Sequence, residues 1–274
     1  MTRRGLGVAA AGFCTFLNLY STQALLPTLA DTFGAGLPRT GLTVTAPLVA
    51  VALVAPFVGG LSDALGRWRL IVWASLFLAV PTLLAAGASG LDALILCRFL
   101  QGLLLPFIFA VTVAYIADEC PGTEAVRMTA TYAVGTILGG FAGRFVAGWA
   151  TELSGWRTAF VVLAGLTLAC GAVVAWALPR ERAFRPVRGW RGQLAGFADQ
   201  FGNPQVMATC GVGFAVLFSM VGTFTYAGFY LAAAPFGLGP AQLGMVFVTY
   251  LAGAVAAPVA TRGVLRYGRQ RTVL

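Results

Sequence analysis

PFVGGLSDALGRWRLIV, residues 56–72, sets one acid and two arginines among glycines between two long apolar runs. In a chain only 10% charged, such a cluster marks a polar turn where one apolar segment ends and the next begins. The 274 residues are 59% hydrophobic with a mean hydropathy of +0.85, whereas a soluble domain has roughly 45–50% apolar and about 25% charged residues. A bilayer core of about 30 Å is crossed by about 20 residues of helix, which satisfies its backbone hydrogen bonds internally. Eight apolar runs of about that length fall near 6–29, 42–62, 70–88, 91–117, 128–150, 158–178, 206–233 and 241–261. Short joints rich in glycine, proline and helix-capping residues separate most of them. The pattern predicts an all-α polytopic membrane protein.

One joint differs. Residues 179–204 are longer, polar and basic, and divide the chain into a six-helix transmembrane bundle (1–178), a cytoplasmic linker (179–204) and a two-helix portion of a second bundle (205–274). The first run follows Arg3 and Arg4, yet it is too long for a secretory signal and the next span begins after a short turn, so it is read as a retained helix. All 18 basic residues are arginine. With a cytoplasmic N-terminus, fourteen of them fall on the cytoplasmic side, Arg39 and Arg157 fall outside, and Arg98 and Arg144 lie within spans. That bias fixes the orientation by the positive-inside rule and accounts for the net charge of +9 without a nucleic-acid partner. The arginines at 180–191 rest against anionic headgroups. Histidine is absent, the five cysteines lack metal or redox spacing, and no serine or cysteine has an activating neighbour, so an enzyme is disfavoured and neither cofactor nor metal is expected.

The opening stretch has a second copy. PVATRGVLRYGRQRTVL, from Pro258, lies 202 residues on and aligns Pro56 with Pro258, Gly66 with Gly268, Arg67 with Arg269 and Arg69 with Arg271. Both copies follow the second apolar run of their half, and two parallel halves are a transporter architecture with the substrate site at their interface. The chain is expected to hold a complete first half and the opening third of a second, with both termini cytoplasmic.

Gly59, Leu61, Asp63, Gly66 and Arg67 resemble the G-x-L-A-D-R-x-G-R-K loop of the major facilitator superfamily, although Ala64 and Trp68 stand where basic residues are usual. RFLQG, with Arg98, Gln101 and Gly102, resembles the family's R-x-x-Q-G pattern, and GTILGGFAGR, with Gly135, Gly139 and Gly143, its glycine-rich antiporter motif without the usual proline. With LPRERAFRP after the sixth span and RYGR after the eighth, the chain is similar to bacterial efflux members of the drug:proton antiporter branch. The resemblance implies a major facilitator fold in the bacterial inner membrane, here the first six helices plus two of the second bundle. It also implies secondary active efflux of small amphipathic compounds or sugars by alternating access, with antiport against protons. The isolated chain is expected not to complete a transport cycle. A non-transporting membrane subunit or sensor that keeps the scaffold is the rival reading. Lipids, a small-molecule substrate and protons are the expected partners.

Several residues carry these expectations. Gly135, Gly139 and Gly143 share one helix face, where missing side chains allow close helix approach; the face either glues helices together or, as the resemblance implies, closes the outer half of the cavity. An arginine inside a span costs a few kcal/mol or more unless it is paired, wet or snorkelled, so Arg98 and Arg144 face a cavity, a partner or the outer headgroups. The resemblance assigns Arg98 to proton coupling or substrate organisation, with Gln101 one turn along. Tyr20 and Gln23, three residues apart, and Tyr226 of the seventh span either line the cavity or make inter-helix bonds and interfacial anchors. No acid falls within the middle of a span. The titrating group therefore lies in spans beyond Leu274, or Asp31 or Asp92 serves from the outer vestibule, or coupling is not by protons. In the opening loop, Gly59 and Gly60 permit close helix approach, Gly66 supplies a turn, and Arg67 is expected to pair with Asp118 or Glu119 as a latch. The resemblance sets Asp63 against an eleventh helix that this chain does not reach.

Overall fold

In hydrocarbon a segment has to bond its own N–H and C=O groups, and the apolar runs accordingly become helices. The structure, a computed structural model, describes residues 2–181, 202–254 and 256. Among them there is no strand. The first run forms α1 (Arg3–Leu19), a 3₁₀ turn (Ser21–Leu25) and α2 (Leu26–Phe33), and the second forms α3 (Leu37–Leu65). The third is α4 (Arg67–Phe77) and α5 (Ala79–Ala86), followed by α6 (Leu91–Glu119), α7 (Thr123–Ser154) and α8 (Trp156–Ala177). Beyond the linker come α9 (Pro204–Ala232), α10 (Pro240–Val246) and a second 3₁₀ turn (Phe247–Tyr250). Linker residues 182–201 and the repeat copy from Pro258 to Leu274 lie outside the described residues.

Five segments are long and apolar enough to cross a membrane: Leu37–Leu65, Arg67–Ala86, Leu91–Glu119, Trp156–Ala177 and Pro204–Ala232. α7 is longer, at 32 residues, but glycines at 135, 139, 140, 143 and 148 together with Arg144 dilute its hydropathy. Large apolar side chains such as Leu53, Trp73, Leu84, Leu153 and Trp176 stay exposed around the helices, a surface suited to lipid.

The first run is not one continuous helix, and its sequence explains the break. Pro27 lacks an N–H, which frees the carbonyl of Gln23 four residues earlier. Ser21 turns its hydroxyl onto the Asn18 carbonyl at 3.0 Å, so a side chain competes for a helical acceptor. The chain tightens to 3₁₀ geometry over Ser21–Leu25 and resumes as α2. At the end of α3, Gly66 has φ +92°, a region costly for side-chain-bearing residues, and it turns the chain into α4 as expected.

α1 is the axis of the packing. Gly135, Gly139 and Gly143 of α7 lie directly against the backbones of Ala9, Phe13 and Leu17, so the four-residue step of one helix meets the four-residue step of the other. Gly102 of α6 sits as closely on the Pro47 backbone of α3, and Gly171 of α8 packs against the Leu76 side chain of α4. Gly59 behaves differently from its expectation. A methyl built there meets nothing among the described residues, so close helix approach in this bundle is made at Gly102 and along α7 instead.

Candidate functional site

The break after Leu19 creates the first polar centre. Where α1 ends, the carbonyls of Asn18 and Leu19 lose their helical donors and the negative end of the helix dipole points inward. Arg98 of α6, wholly buried, fills that position. Its Nη1 donates to Asn18 O at 2.8 Å and its Nε to Thr43 O of α3 at 3.0 Å, while Nη2 donates to Leu19 O and Nη1 also to Gln101 Oε1. Gln101 Nε2 donates to Thr82 Oγ1 at 2.7 Å, and that hydroxyl lies 3.0 Å from Asn18 Oδ1. Asn18 Nδ2 donates to Thr167 Oγ1 at 2.9 Å. The network ties α1, α3, α5, α6 and α8 around one cation. Arg98 and Gln101 therefore sit inside the helix bundle rather than on the wall of a groove. Sequence reading missed Asn18, Thr43, Thr82 and Thr167; the usable signal was a lone asparagine in an apolar run.

The second centre forms on Arg144 of α7, which is 2% exposed. Its Nε donates to Gln23 Oε1 at 2.8 Å and its Nη1 to the Gly140 carbonyl. Ring faces take up much of the remaining space: the guanidinium carbon lies 4.8 Å from the Tyr20 ring centre, 4.4 Å from Phe247 and 4.9 Å from Tyr250. Gln23 Nε2 in turn donates to Thr225 Oγ1 of α9 at 3.1 Å. In a 3₁₀ turn residues three apart eclipse, which is why Tyr20 and Gln23 reach the same guanidinium. Arg144 is thus held by both parts of the chain, and it does not snorkel. Phe247, Tyr250 and Thr225 were not singled out from the sequence, since aromatic and threonine residues are common in membrane helices.

A groove of about 700 Å³ opens between α3 and α9, with Tyr20, Thr225 and Tyr226 on its otherwise mostly apolar wall. A smaller pocket of about 160 Å³ adjoins it and is bordered by Tyr20, Arg144 and Tyr250. Tyr20, Leu217 and Val221 line both. The exposed Tyr226 faces the larger space, and Gln23 works from behind as the bridge to Arg144.

At the end nearest the N-terminus, Arg67 Nη2 lies 2.7 Å from Asp118 and 3.6 Å from Asp63. Its Nη1 is buried without a hydrogen-bond partner among the described residues. The departure at Trp68 has a local explanation: its indole Nε1 donates to Leu178 O at 2.8 Å, its backbone N–H to Glu181 Oε2 at 2.8 Å, and Arg180 lies 4.9 Å over its ring. Trp68 thereby fastens the end of α8 to the motif loop. At the opposite end, Gly148 of α7 abuts the Pro240 carbonyl, and Gly244 of α10 abuts Arg144 and Phe145. Glu152 Oε2 lies 3.5 Å from the Ala241 N–H in the same region. The contact between the two parts of the chain at this end is made by Gly148 and Gly244, whereas Gly135, Gly139 and Gly143 pack within the first part. Asp31 is exposed, and Asp92 pairs with Arg39 at 2.9 Å on the surface.

An all-helical bundle with lipid-suited surfaces, a broken first helix and buried arginines at its interior defines a polytopic membrane protein. The Major Facilitator Superfamily model matches residues 8–274, and the chain belongs to that superfamily. It is 29% identical over 281 residues to the inner membrane transport protein YnfM of Escherichia coli (strain K12), covering 98% of this chain and 65% of that protein. It is 28% identical over 263 residues to the uncharacterized MFS-type transporter YybF of Bacillus subtilis (strain 168), covering 94% and 64%. The chain thus spans just under two-thirds of the length of these relatives. Among solved structures, it is similar to a bacterial homolog of the human lysosomal transporter Spinster in an inward-facing, unoccupied conformation. The TM-score is 0.72 with 18% identity, over 95% of this chain and 60% of that one. That likeness concerns the fold.

Proposed function

We propose that the chain is part of a secondary active transporter of the bacterial inner membrane that exports small amphipathic solutes by alternating access, with its N-terminus in the cytoplasm. The observation that carries this reading is the groove between α3 and α9, walled by both parts of the chain, at the foot of the Arg144 bridge. Contacts at Gly148 and Gly244 join the two parts of the chain at the end remote from the N-terminus, the end from which Leu37 and Pro38 of α3 contribute to the groove. The Arg67–Asp118 pair serves as one half of a latch at the cytoplasmic end, and the buried Nη1 of Arg67, without a partner among the described residues, is available to a further one there. Antiport against protons is the coupling that the family likeness implies. Among the described residues the carboxylates sit at helix ends or in turns, which leaves Asp31, Asp92 or simple solute exchange as its means within this stretch.

Everted membrane vesicles carrying the full-length protein test this reading. Uptake of an amphipathic solute should rise when the vesicle lumen is made acidic, so that protons leave as solute enters, and vanish with an uncoupler. Gradient-independent uptake that is stimulated by the same solute on the other side points to exchange. Absence of protein-dependent flux for every solute tried removes the transporter reading.

A further inference from the structure

The two buried arginines are served differently, and the difference points to a ligand. Arg98 finds four oxygen acceptors in the protein. Arg144 finds two, Gln23 Oε1 and Gly140 O, out of a capacity of five N–H donors, and among the described residues its Nη2 donates no hydrogen bond. No carboxylate lies within ion-pair distance of Arg144 among the described residues. A buried guanidinium in a membrane protein faces a counter-charge or a water-filled cavity, and the adjoining pocket of about 160 Å³ borders this one. Tyr20 and Tyr250 line the same pocket, and among the described residues neither hydroxyl makes a hydrogen bond. Three residues able to donate, one of them cationic, therefore line a pocket without an anion among the described residues to receive them. Apolar walls continue from it into the groove of about 700 Å³, through the shared residues Leu217 and Val221.

We infer that Arg144, with Tyr20 and Tyr250, forms the head-group site for an organic anion. A carboxylate takes the place of the missing counter-charge, and its apolar body lies along Leu217 and Val221 into the groove. The inference rests on the transporter reading for its purpose, though the site is defined by its donors alone. Cations are disfavoured by Arg144, and neutral amphiphiles leave its Nη2 unanswered.

Benzoate and its uncharged analogue benzamide are suitable probes, titrated calorimetrically into the full-length protein purified in detergent. Benzoate should bind saturably and benzamide roughly tenfold or more weaker, the scale of a charge-assisted bond. Arg144→Gln should remove that preference by weakening benzoate about tenfold while leaving benzamide unchanged, and Arg144→Lys should restore part of it. Equal binding of the two probes, no benzoate binding at about 10 mM, or full benzoate binding by Arg144→Gln overturns the inference. If Arg144→Gln does not fold, the ratio of benzoate to benzamide on the unaltered protein still decides. Vesicle flux separates the two readings. Flux of neutral or cationic solutes with no benzoate flux and no benzoate binding removes the anion site and keeps the transporter. Arg144-dependent benzoate binding without flux of any solute supports the site and removes the transporter.

Discussion

Arg98 and Arg144 stand on successive helices, both buried and both without a carboxylate partner among the described residues. Arg98 is enclosed by fixed oxygens: three backbone carbonyls and the Gln101 side chain receive its protons. Those of Asn18 and Leu19 are free because α1 stops at Leu19, and that of Thr43 because Pro47 has no N–H to offer it. Arg144 is enclosed by rings, which attract a cation through their π faces but saturate no N–H. The first arrangement is complete within α1 to α8. The second draws on α9 and the turn after α10 and adjoins an open pocket. A cation with all its acceptors in place acts as a clamp, whereas one with a spare donor at a cavity wall can act on a solute.

The largest expected effect comes from removing the clamp. Arg98→Met leaves Leu19 O and Gln101 Oε1 without that donor where water does not easily replace it, at about 1–3 kcal/mol for each unsatisfied group, while Asn18 O and Thr43 O keep the Ser21 and Thr22 hydroxyls. Part of that is offset by no longer burying a charge, so a net loss of about 3 kcal/mol is expected. It should appear as a large fall in the thermal midpoint in detergent and a poor monodisperse yield. Arg144→Met should cost about 1 kcal/mol or less, because the rings can close on a thioether side chain. Similar midpoints for the two variants would erase the distinction drawn between the sites.

The sequence made both arginines conspicuous but not their surroundings. A guanidinium in an apolar run is legible as a charge that needs an answer, yet the answer at Arg98 comes from backbone carbonyls, which every residue carries. Those of Asn18 and Leu19 become available through the 3₁₀ break and that of Thr43 through Pro47, and hydropathy averages register neither. The pairing of Tyr20 with Gln23 was legible because a three-residue step suits either kind of helix. The helical runs themselves were legible as well, since each is dictated by the need to bond its backbone in hydrocarbon. The four-residue glycine step was equally plain, but spacing names a face and not its neighbour. The face turned toward α1, and the contact to α10 fell to Gly148 and Gly244, which the repeat did not include.

That pair of seams gives the intermediate effect. Gly139→Leu drives a side chain into the Phe13 backbone inside the first bundle and should destabilise by about 1–3 kcal/mol, the usual scale of overpacking. Gly148→Leu pushes against the Pro240 carbonyl between the two parts of the chain, where α10 can move away at less cost. Its thermal midpoint should fall less than that of Gly139→Leu, while amide exchange across Pro240–Val246 should quicken. An unaltered exchange rate there, beside a large midpoint loss, would assign Gly148 to the same rigid body as Gly139.

The smallest effect belongs to the motif loop, because Asp118 is 57% exposed and water and salt screen its bond to Arg67. Reversing Arg67 to Asp or Asp118 to Arg should each cost about 0–1 kcal/mol. The double reversal should recover only part of the loss. Asp63 sits 3.6 Å from Arg67 in the native protein, so an aspartate at 67 would meet a like charge there even with an arginine at 118. Coupling from the double-mutant cycle should shrink as salt is raised, and the same cycle read in vesicle flux should show the larger coupling if the pair is a latch. Coupling of equal size in stability and flux would mean that Arg67 fastens a loop and does not bias the movement of the halves.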